Sequence, residues 1–470
     1  MENGVKKLSI GEKIGYGLGD AASNLFFQIF IIYLSYFYTD VFGIPAAALG
    51  TMMLVTRIWD AVNDPIMGMI ADRTNSRWGK FRPWLLWCAV PFGVLGVLMF
   101  TTPNLGPTGK LIWAYVTYTA MTMIYTAINV PYSALMGVIT PDSMDRTVVS
   151  SFRFALAFVG TFSVQLLLTR MVRFFGQGNE TVGWQWAAVV FSCAAVLLFL
   201  VTFTTTRERV QPPKGKNPIL RDLKDLLTNL PWLLIGGATV FQLAFIVMRG
   251  SCIPYFFKYY IQDREISLFG MTKIIPHDDL SSYYLMAGTV FTLAGAVLSK
   301  WFSLRLGKPQ AYLFFLTLCG LSTAAVYFLD RDNLGLLLVL QLIASFSVGP
   351  VSVLQWAIYT DTADYSEWKN GRRATALIMA ASLFALKMGV AIGGALLAWI
   401  LAAYGYNAEN AEQTPTALTG IRMSMSLYPS VFAFLGAALM LFYPLSNQRM
   451  KQIESDLIAR RKQYESRSIQ

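Results

Sequence analysis

Charged residues are scarce in this 470-residue sequence. Asp, Glu, Lys and Arg make up 14% of it and hydrophobic residues 55%, whereas a soluble protein carries about 25% charged residues. The mean hydropathy is +0.48. This composition excludes an ordinary soluble domain and predicts a polytopic membrane protein.

Residues that build most enzyme sites are few as well. The single histidine, His277, lies in a short polar run, and the four cysteines fall in apolar stretches without the spacing of metal ligands. No nucleophile–base pair, metal cluster or phosphate-binding loop can be recognised in the sequence. We therefore expect a protein that is not an enzyme and that carries no cofactor.

Twelve apolar runs, each near the ~20 residues that cross a bilayer, account for most of the chain. They cover residues 12–40, 45–71, 81–101, 109–139, 146–174, 182–205, 230–260, 280–301, 309–329, 333–360, 372–404 and 418–444. Lys and Arg concentrate before the first run and in the loops after the second, sixth and tenth runs. The positive-inside rule then predicts cytoplasmic termini, in a multi-pass protein of a bacterial-type inner membrane.

A stretch that contains Pro and Gly, Val210–Pro218, divides the chain nearly in half. Short sequences recur in both halves, such as Gly79-Lys80 and Gly307-Lys308. We predict an all-α fold of twelve transmembrane helices in two six-helix bundles, with a site at the repeat interface. The predicted parts are an N-terminal bundle at 1–206, a cytoplasmic linker at 207–229, a C-terminal bundle at 230–445 and a cytoplasmic tail at 446–470, at most a short helix.

The second apolar run carries two carboxylates. Asp60 and Asp64 are four residues apart, so they face the same side of a helix, with the Asn63 amide beside them. An intramembrane charge costs roughly 2.5–3.5 kcal/mol on insertion scales, and acidic residues there usually mark ion pathways. Oxygen ligands of this kind suit a small cation such as Na⁺ or H⁺. The alternative is a structural ion pair with Arg57, one turn earlier.

Polar side chains form stripes along the first and fourth runs. In hydrocarbon such groups need partners, so the stripes either line a wet cavity or hold helices together. A sugar site needs donors and acceptors around the hydroxyls and an aromatic face for the ring. The candidates for these two tasks are Asn24, Gln28, Asn129 and Arg153, and the aromatic residues Tyr125, Tyr132, Trp356 and Tyr359.

Several stretches resemble the glycoside–pentoside–hexuronide:cation symporters, the melibiose-permease-like branch of the major facilitator superfamily. They are Gly15–Asp20, Tyr38–Asp40, Arg57–Pro65, Ser76–Pro83, Asn129–Tyr132 and Asp361–Trp368. The resemblance implies a symporter that imports a glycoside, pentoside or hexuronide together with Na⁺ or H⁺ by alternating access. The positions that bind the cation in this family match Asp60, Asn63, Asp64 and Thr126 of this sequence.

The resemblance also strengthens three of the sugar candidates, Asn24, Asn129 and Arg153. The melibiose branch has carboxylates at the first two positions, where this chain has Asn. This departure argues against an α-galactoside and leaves an anionic sugar and a neutral glycoside such as a β-xyloside open. Lys387 resembles the lysine of the family's eleventh span, and with Arg57 it is expected to couple ion and sugar; a plain salt bridge is the alternative.

Charged residues also cluster at the predicted cytoplasmic ends of the spans. We expect pairs between the two halves to close that side of the protein, although topology alone could explain the basic members. The predicted gate residues are Asp72, Arg73, Arg77, Lys80, Asp361, Asp364 and Glu367.

The expected partners are a sugar, a monovalent cation and the lipid bilayer, and we expect the protein to work as a monomer. The formal net charge of +11 is spread over loops and not held in a basic domain, so no nucleic-acid partner is expected. The main alternative function is a sodium-dependent lysolipid carrier of the same wider family. A drug/proton antiporter and a membrane enzyme fit the motifs less well.

Overall fold

The computed structural model describes residues 8–140, 143–209, 226–268, 271–370, 375–410 and 412–468. These residues form twelve long helices, a short hairpin and a terminal helix. The elements are α1 (Ile10–Val41), α2 (Ala46–Arg73), α3 (Arg82–Met99), α4 (Pro107–Ile139), α5 (Ser143–Gly176), α6 (Glu180–Thr205), α7 (Leu230–Ile261), β1 (Arg264–Leu268), β2 (Met271–Ile275), α8 (His277–Leu306), α9 (Lys308–Ala325), α10 (Leu334–Asn370), α11 (Thr375–Ala403), α12 (Pro415–Leu441) and α13 (Asn447–Ser468). The predicted all-α membrane fold is confirmed.

Eleven of the described helices are long and apolar enough to cross a membrane, and α2 is not among them. At 28 residues α2 is long enough for the crossing. Its hydropathy is lowered by polar side chains, including Arg57, Asp60 and Asp64. The helix with the paired carboxylates is therefore the one whose composition fits hydrocarbon poorly.

Two helices contain π-helical turns, in which the chain is wound more loosely. In α1 these turns are Ile29–Tyr33 and Phe37–Val41, and α7 ends in a third, Phe256–Ile261. Such turns are uncommon and occur frequently at functional sites. The last turns of α1 and α7 carry Asp40 and Lys258, which meet in an ion pair described below.

The described chain forms two compact units. The first comprises Met1–Gly215, Phe257–Tyr283 and Ala398–Ala417, and the second comprises Lys216–Phe256, Tyr284–Leu397 and Leu418–Gln470. The first unit thus contains α1 to α6 together with the hairpin and end segments of α7, α8, α11 and α12. The predicted bundle boundaries stay a prediction, because these four helices contribute to both units.

Glycine lets α1 and α5 approach each other closely in the first unit. A Cβ added to Gly160 would lie 2.7 Å from the backbone oxygen of Ala21, and one added to Gly17 would lie 2.9 Å from the backbone oxygen of Phe152. Small residues at such crossings are typical of helix packing in membranes. The close approach places the polar stripe of α1 beside Arg153 of α5.

The second unit has an apolar core with polar links between its helices. Aromatic and aliphatic side chains of α7, α9, α10 and α12 pack together, among them Phe245, Phe315 and Ile358. The Tyr312 hydroxyl donates to Gln242 Oε1 at 2.7 Å. Buried polar groups are thus paired across helices, as a low-dielectric interior requires.

The hairpin β1–β2 was not predicted from the sequence. Its strands pair antiparallel from Arg264 opposite Ile275 onward. Asp263 Oδ1 accepts hydrogen bonds from the backbone N–H and the ring Nδ1 of His277, at 2.9 and 2.8 Å. Burial acts to raise the pKa of Asp263, but the bonds from His277 outweigh it and hold that pKa below its ordinary value. His277 therefore ties the base of the hairpin to α8.

The C-terminal helix α13 is longer than the short helix that we expected, at 22 residues. Its apolar face, with Met450, Ile453 and Leu457, packs near Trp368 at the end of α10. The Trp368 ring N–H donates to Asp456 Oδ2 at 2.9 Å. This segment therefore extends the second unit.

We predict that Gly160→Ala destabilises the protein by about 1–3 kcal/mol, because the new methyl group meets backbone atoms that cannot move aside. Gly137→Ala on α4 is the matched control, since a Cβ there has no neighbour within 4 Å, and it should be neutral or stabilising by up to about 1 kcal/mol. Thermal unfolding of the purified proteins in detergent measures both. Equal melting temperatures for Gly160→Ala and Gly137→Ala would contradict the close-packing argument.

Candidate cation and sugar sites

The proposed cation residues of α2 and α4 come together in the first unit. The Thr126 hydroxyl lies 2.9 Å from Asp60 Oδ1 and 3.0 Å from Asp64 Oδ1. Asp60 is 4% exposed and Asp64 is half-buried. A hydroxyl has one proton, so Thr126 donates to only one of these two oxygens at a time. The cluster therefore presents two carboxylate oxygens, each within hydrogen-bond distance of the Thr126 hydroxyl, and oxygen ligands of this kind suit a small hard cation or a proton.

Arg57 lies beside this cluster. Its Nη1 is 3.6 Å from Asp60 Oδ2, and its guanidinium lies 5.9 Å from the centre of the Tyr118 ring. With all three groups ionised, Arg57, Asp60 and Asp64 together carry a charge of −1. The ion pair that we considered as an alternative is thus present, and it coexists with the second carboxylate.

Asn63 is half-buried on α2, and its side chain makes no hydrogen bond with the part of the chain that the structure describes. Its amide does not belong to the Asp60–Asp64–Thr126 cluster here. Its assignment as a cation ligand stays a prediction.

An ion pair between α1 and α5 is the centre of the candidate sugar site. Arg153 Nε lies 3.2 Å from Asp20 Oδ2, and Nη2 donates to Asp20 Oδ1 at 3.3 Å. The Arg153 guanidinium also lies 5.3 Å from the centre of the Tyr132 ring, which stacks on Tyr16 at 4.6 Å. Asp20, although it begins the predicted polar stripe, was not assigned to the site from sequence.

The two asparagines of the candidate sugar site lie on α1 and α4. Asn24 donates to the backbone oxygen of Asp20 and Asn129 to that of Tyr125, both at 2.9 Å. Ser23, which sequence reasoning missed, donates to Asn129 Oδ1 at 2.8 Å and links the two helices. Its only signal in the sequence was its position next to Asn24.

The aromatic candidates are divided between the two units. Tyr125 is half-buried in the first unit and stacks on Phe27 at 6.3 Å. Trp356 is 41% exposed on α10 of the second unit, with Tyr359 at 5.8 Å. Gln28 is half-buried on α1, and Lys387 is half-buried on α11. Asn24, Tyr125, Asn129 and Arg153 therefore share the first unit, whereas Trp356 and Lys387 belong to the second.

The predicted gate residues have partners that the sequence did not indicate. Arg73 and Arg77 are exposed, and Arg77 lies 4.2 Å from the centre of the Trp78 ring. Asp361 accepts two hydrogen bonds from Lys308 in the second unit, at 2.7 and 2.9 Å. Asp364 and Glu367 are half-buried, and the side chain of Asp72 lies outside the described part. Pairing between the halves stays a prediction.

Glu208, just after α6, was also missed. Its carboxylate accepts hydrogen bonds from the backbone N–H groups of Lys80, Phe81 and Arg82, at 3.0, 2.7 and 3.0 Å. These groups stand at the start of α3, where a helix leaves N–H donors unsatisfied and favours negative charge. Glu208 therefore anchors the loop that carries the predicted gate residue Lys80.

A third cluster surrounds Asp40 in the first unit. Its carboxylate, fully buried, accepts from Lys258 Nζ at 3.0 Å and from the hydroxyls of Thr39, Tyr259 and Tyr406. From the sequence, Asp40 was noted only within a family motif. The cluster joins the π-helical ends of α1 and α7 to the segment that follows α11.

Comparison with known proteins agrees with this architecture. The family model described as MFS/sugar transport protein matches residues 15–447. The chain is 36% identical to the inner membrane symporter YicJ of Escherichia coli K12, covering 96% of this chain and 95% of that protein. It is 34% identical to the isoprimeverose transporter of Lactiplantibacillus pentosus (94% and 90% covered) and 30% identical to the glucuronide carrier protein homolog of E. coli K12 (97% and 97% covered).

Among solved structures, a bacterial homolog of the human lysosomal transporter Spinster has a similar fold, with a TM-score of 0.63 at 16% identity, covering 92% of this chain and 95% of that one. At this identity the likeness concerns the fold alone. The chain belongs to the glycoside–pentoside–hexuronide:cation symporter family, a branch of the major facilitator superfamily. It is a membrane symporter for sugars and not an enzyme, as we predicted.

We predict that Thr126→Val weakens the apparent affinity for the coupling cation about tenfold, because the two carboxylates lose their shared hydroxyl. Thr122→Val is the matched control: its hydroxyl is buried on the same helix but donates to the backbone oxygen of Thr119 at 2.8 Å. The cation dependence of sugar uptake measures the effect. An equal loss in both variants would remove Thr126 from the cation site.

Proposed function

We propose that Na⁺ or H⁺ binds between α2 and α4, at Asp60, Asp64 and Thr126, with Asn63 joining when the ion arrives. The observation that supports this most directly is the Thr126 hydroxyl between two carboxylate oxygens. A proton would neutralise one carboxylate, and Na⁺ would be held by all three oxygens. Either way the bound ion brings to zero the charge of −1 that Arg57, Asp60 and Asp64 carry together when all three are ionised.

The sugar, on this proposal, binds next to the ion. Asn24, Gln28, Asn129 and Arg153 provide donors and acceptors for hydroxyl groups, and Tyr125 and Trp356 provide the aromatic faces. The Asn24 amide N–H donates to the backbone oxygen of Asp20 on its own helix. The amide oxygen of Asn24 can therefore accept a hydrogen bond from a sugar hydroxyl. Relatives named for isoprimeverose and for glucuronides support a glycoside or hexuronide as the substrate.

Coupling between ion and sugar follows from their shared helix. Thr126 and Asn129 are three residues apart on α4, about one turn, so an ion that orders Thr126 also orders Asn129. By linkage, each ligand then raises the affinity of the other by the same factor. Arg57 and Lys387 stabilise the ion-free state as internal cations.

A lysolipid substrate is the alternative to a sugar. Competition by free sugars distinguishes a sugar carrier from a lysolipid carrier.

Transport then proceeds by alternating access of the two halves around a site near the midplane. The termini are cytoplasmic because the basic loops face that side, in a bacterial-type inner membrane, and one chain suffices for the cycle. Asp72, Arg73, Arg77 and Lys80 pair with Asp361, Asp364 and Glu367 when the cytoplasmic side is closed.

The proposal predicts that Asp60→Asn abolishes ion-driven sugar accumulation, because one ionisable oxygen ligand is lost. Uptake by proteoliposomes is measured for a panel of neutral glycosides, xylosides and uronides, with a sodium gradient, a proton gradient or neither. Asp330→Asn is the control, since Asp330 is exposed in the loop after α9. Accumulation that persists unchanged in Asp60→Asn would place the ion elsewhere, and binding of lysolipid without a sugar response would overturn the substrate.

Arg77→Ala should shift the protein toward the state open to the cytoplasm and reduce uptake, because a gate charge is lost. Single cysteines placed on either side of the membrane report the shift through their reactivity. Lys451→Ala, an exposed basic residue of α13, should leave both accessibilities unchanged. If Arg77→Ala and the parent react equally on both faces, the gate assignment fails.

A further inference from the structure

A buried arginine of the second unit has no acidic partner among the residues that the structure describes. Arg249 of α7 is 8% exposed and donates through Nη2 to the Tyr284 hydroxyl of α8 at 2.9 Å and to Gln341 Oε1 of α10 at 2.5 Å. Both partners are buried and uncharged, at 4% and 3% exposure. Gln341 in turn donates to the backbone oxygen of Tyr284 at 3.4 Å, so the three side chains form one connected group.

The charge of Arg249 is not met by the described residues. Its Nε is buried without a hydrogen-bond partner, its Nη1 donates to none of them, and it forms no ion pair with them. A guanidinium stays charged in proteins, so the group cannot relieve this state by losing its proton. An unpaired buried charge is strongly destabilising unless something compensates it.

The group lies inside three helices that are long and apolar enough to cross a membrane. Arg249 is 19 residues beyond Leu230, about 28 Å along a helix of about 48 Å, since each residue adds 1.5 Å. Tyr284 and Gln341 are each the eighth residue of their helices, about 10 Å inside the helix end. Ionisable residues inside membrane-spanning helices usually belong to substrate or ion pathways.

We propose that Arg249, held in place by Tyr284 and Gln341, receives the acidic group of an anionic sugar, a carboxylate or a sulfonate. This inference rests on the proposed function and adds the class of substrate to it. Tyr284 and Gln341 occupy Nη2 and orient the guanidinium, while Nη1, which makes no hydrogen bond with the described residues, remains as the donor for an oxyanion. Charge-assisted hydrogen bonds of this kind are the strong ones, and arginine suits planar carboxylates.

The first test compares Arg249→Gln with the parent for three substrates: a uronide, a sulfonated sugar and a neutral xyloside. We expect the KM for the acidic sugars to rise about 10- to 100-fold, because one charge-assisted contact is lost, and the KM for the neutral sugar to stay within twofold. The relative size of the effect on uronide and on sulfonated sugar identifies which oxyanion the group prefers. Equal losses for acidic and neutral sugars would overturn the proposal.

A second variant tests the same point if Arg249→Gln folds poorly. Gln341→Glu places a carboxylate 2.5 Å from Arg249 and supplies the missing counter-charge inside the protein. We expect a higher melting temperature, a loss of acidic-sugar uptake of at least about tenfold and unchanged neutral-sugar uptake. Gln355→Glu on the same helix, where Gln355 donates to the Tyr359 hydroxyl, is the control without an arginine partner. Acidic-sugar uptake that is unchanged in Gln341→Glu would overturn the proposal.

The identity of the anion is tested on the parent protein. If a uronide or a sulfonated sugar raises the melting temperature of the parent but not of Gln341→Glu, the result supports a substrate anion as the ligand of Arg249. Protection by chloride or phosphate that acidic sugars do not displace would assign Arg249 to an inorganic anion and overturn the proposal. A parent that accumulates only neutral sugars would also overturn it and leave the sugar symporter assignment intact, whereas no sugar uptake of any kind would instead remove the proposed function.

Discussion

A charge inside a membrane must meet an opposite charge or a set of hydrogen-bond donors, and this requirement organises the first unit. Asp20 meets Arg153, Asp40 meets Lys258 and three hydroxyls, and Asp60 and Asp64 share the hydroxyl of Thr126. In the first two clusters the carboxylate has a basic partner of its own. In the third, Arg57 pairs with Asp60, and both carboxylates contact the one hydroxyl of Thr126. The three clusters thus differ in how many acidic groups one basic side chain accompanies, and the proposed cation site is the cluster with two.

Helix α4 connects the two candidate sites. It carries Thr126, which contacts the carboxylates of α2, and Asn129, which is held by Ser23 of α1. Because a helix is stiff over one turn, a shift that adjusts one of these side chains moves the other. The Gly160 crossing brings α5 against α1, so that Arg153 reaches Asp20. Close packing by a residue without a side chain is therefore what allows the long polar side chains of neighbouring helices to meet.

The second unit holds a buried cation whose hydrogen-bond partners are uncharged. Arg249 donates to Tyr284 and Gln341, whereas Arg153 and Lys258 of the first unit pair with carboxylates. With Asn at positions 24 and 129, the first unit also lacks the carboxylates found there in the melibiose branch. For the anionic sugar that we propose, the absence of these carboxylates lowers the electrostatic cost of entering the protein, because fewer like charges oppose it.

Hydropathy and the helical period act over neighbouring residues, and they were enough to predict the membrane class, the helices and the shared face of Asp60 and Asp64. The side chains that meet across helices could be seen only in the folded chain: Ser23 with Asn129, Glu208 with the start of α3, and Arg249 with Gln341, over separations of 106, 127 and 92 residues. Such pairs depend on how each helix is rotated and how closely it packs, which no local pattern encodes. The hairpin at Arg264–Ile275 escaped prediction for a related reason, since short strands between long apolar runs give little periodic signal.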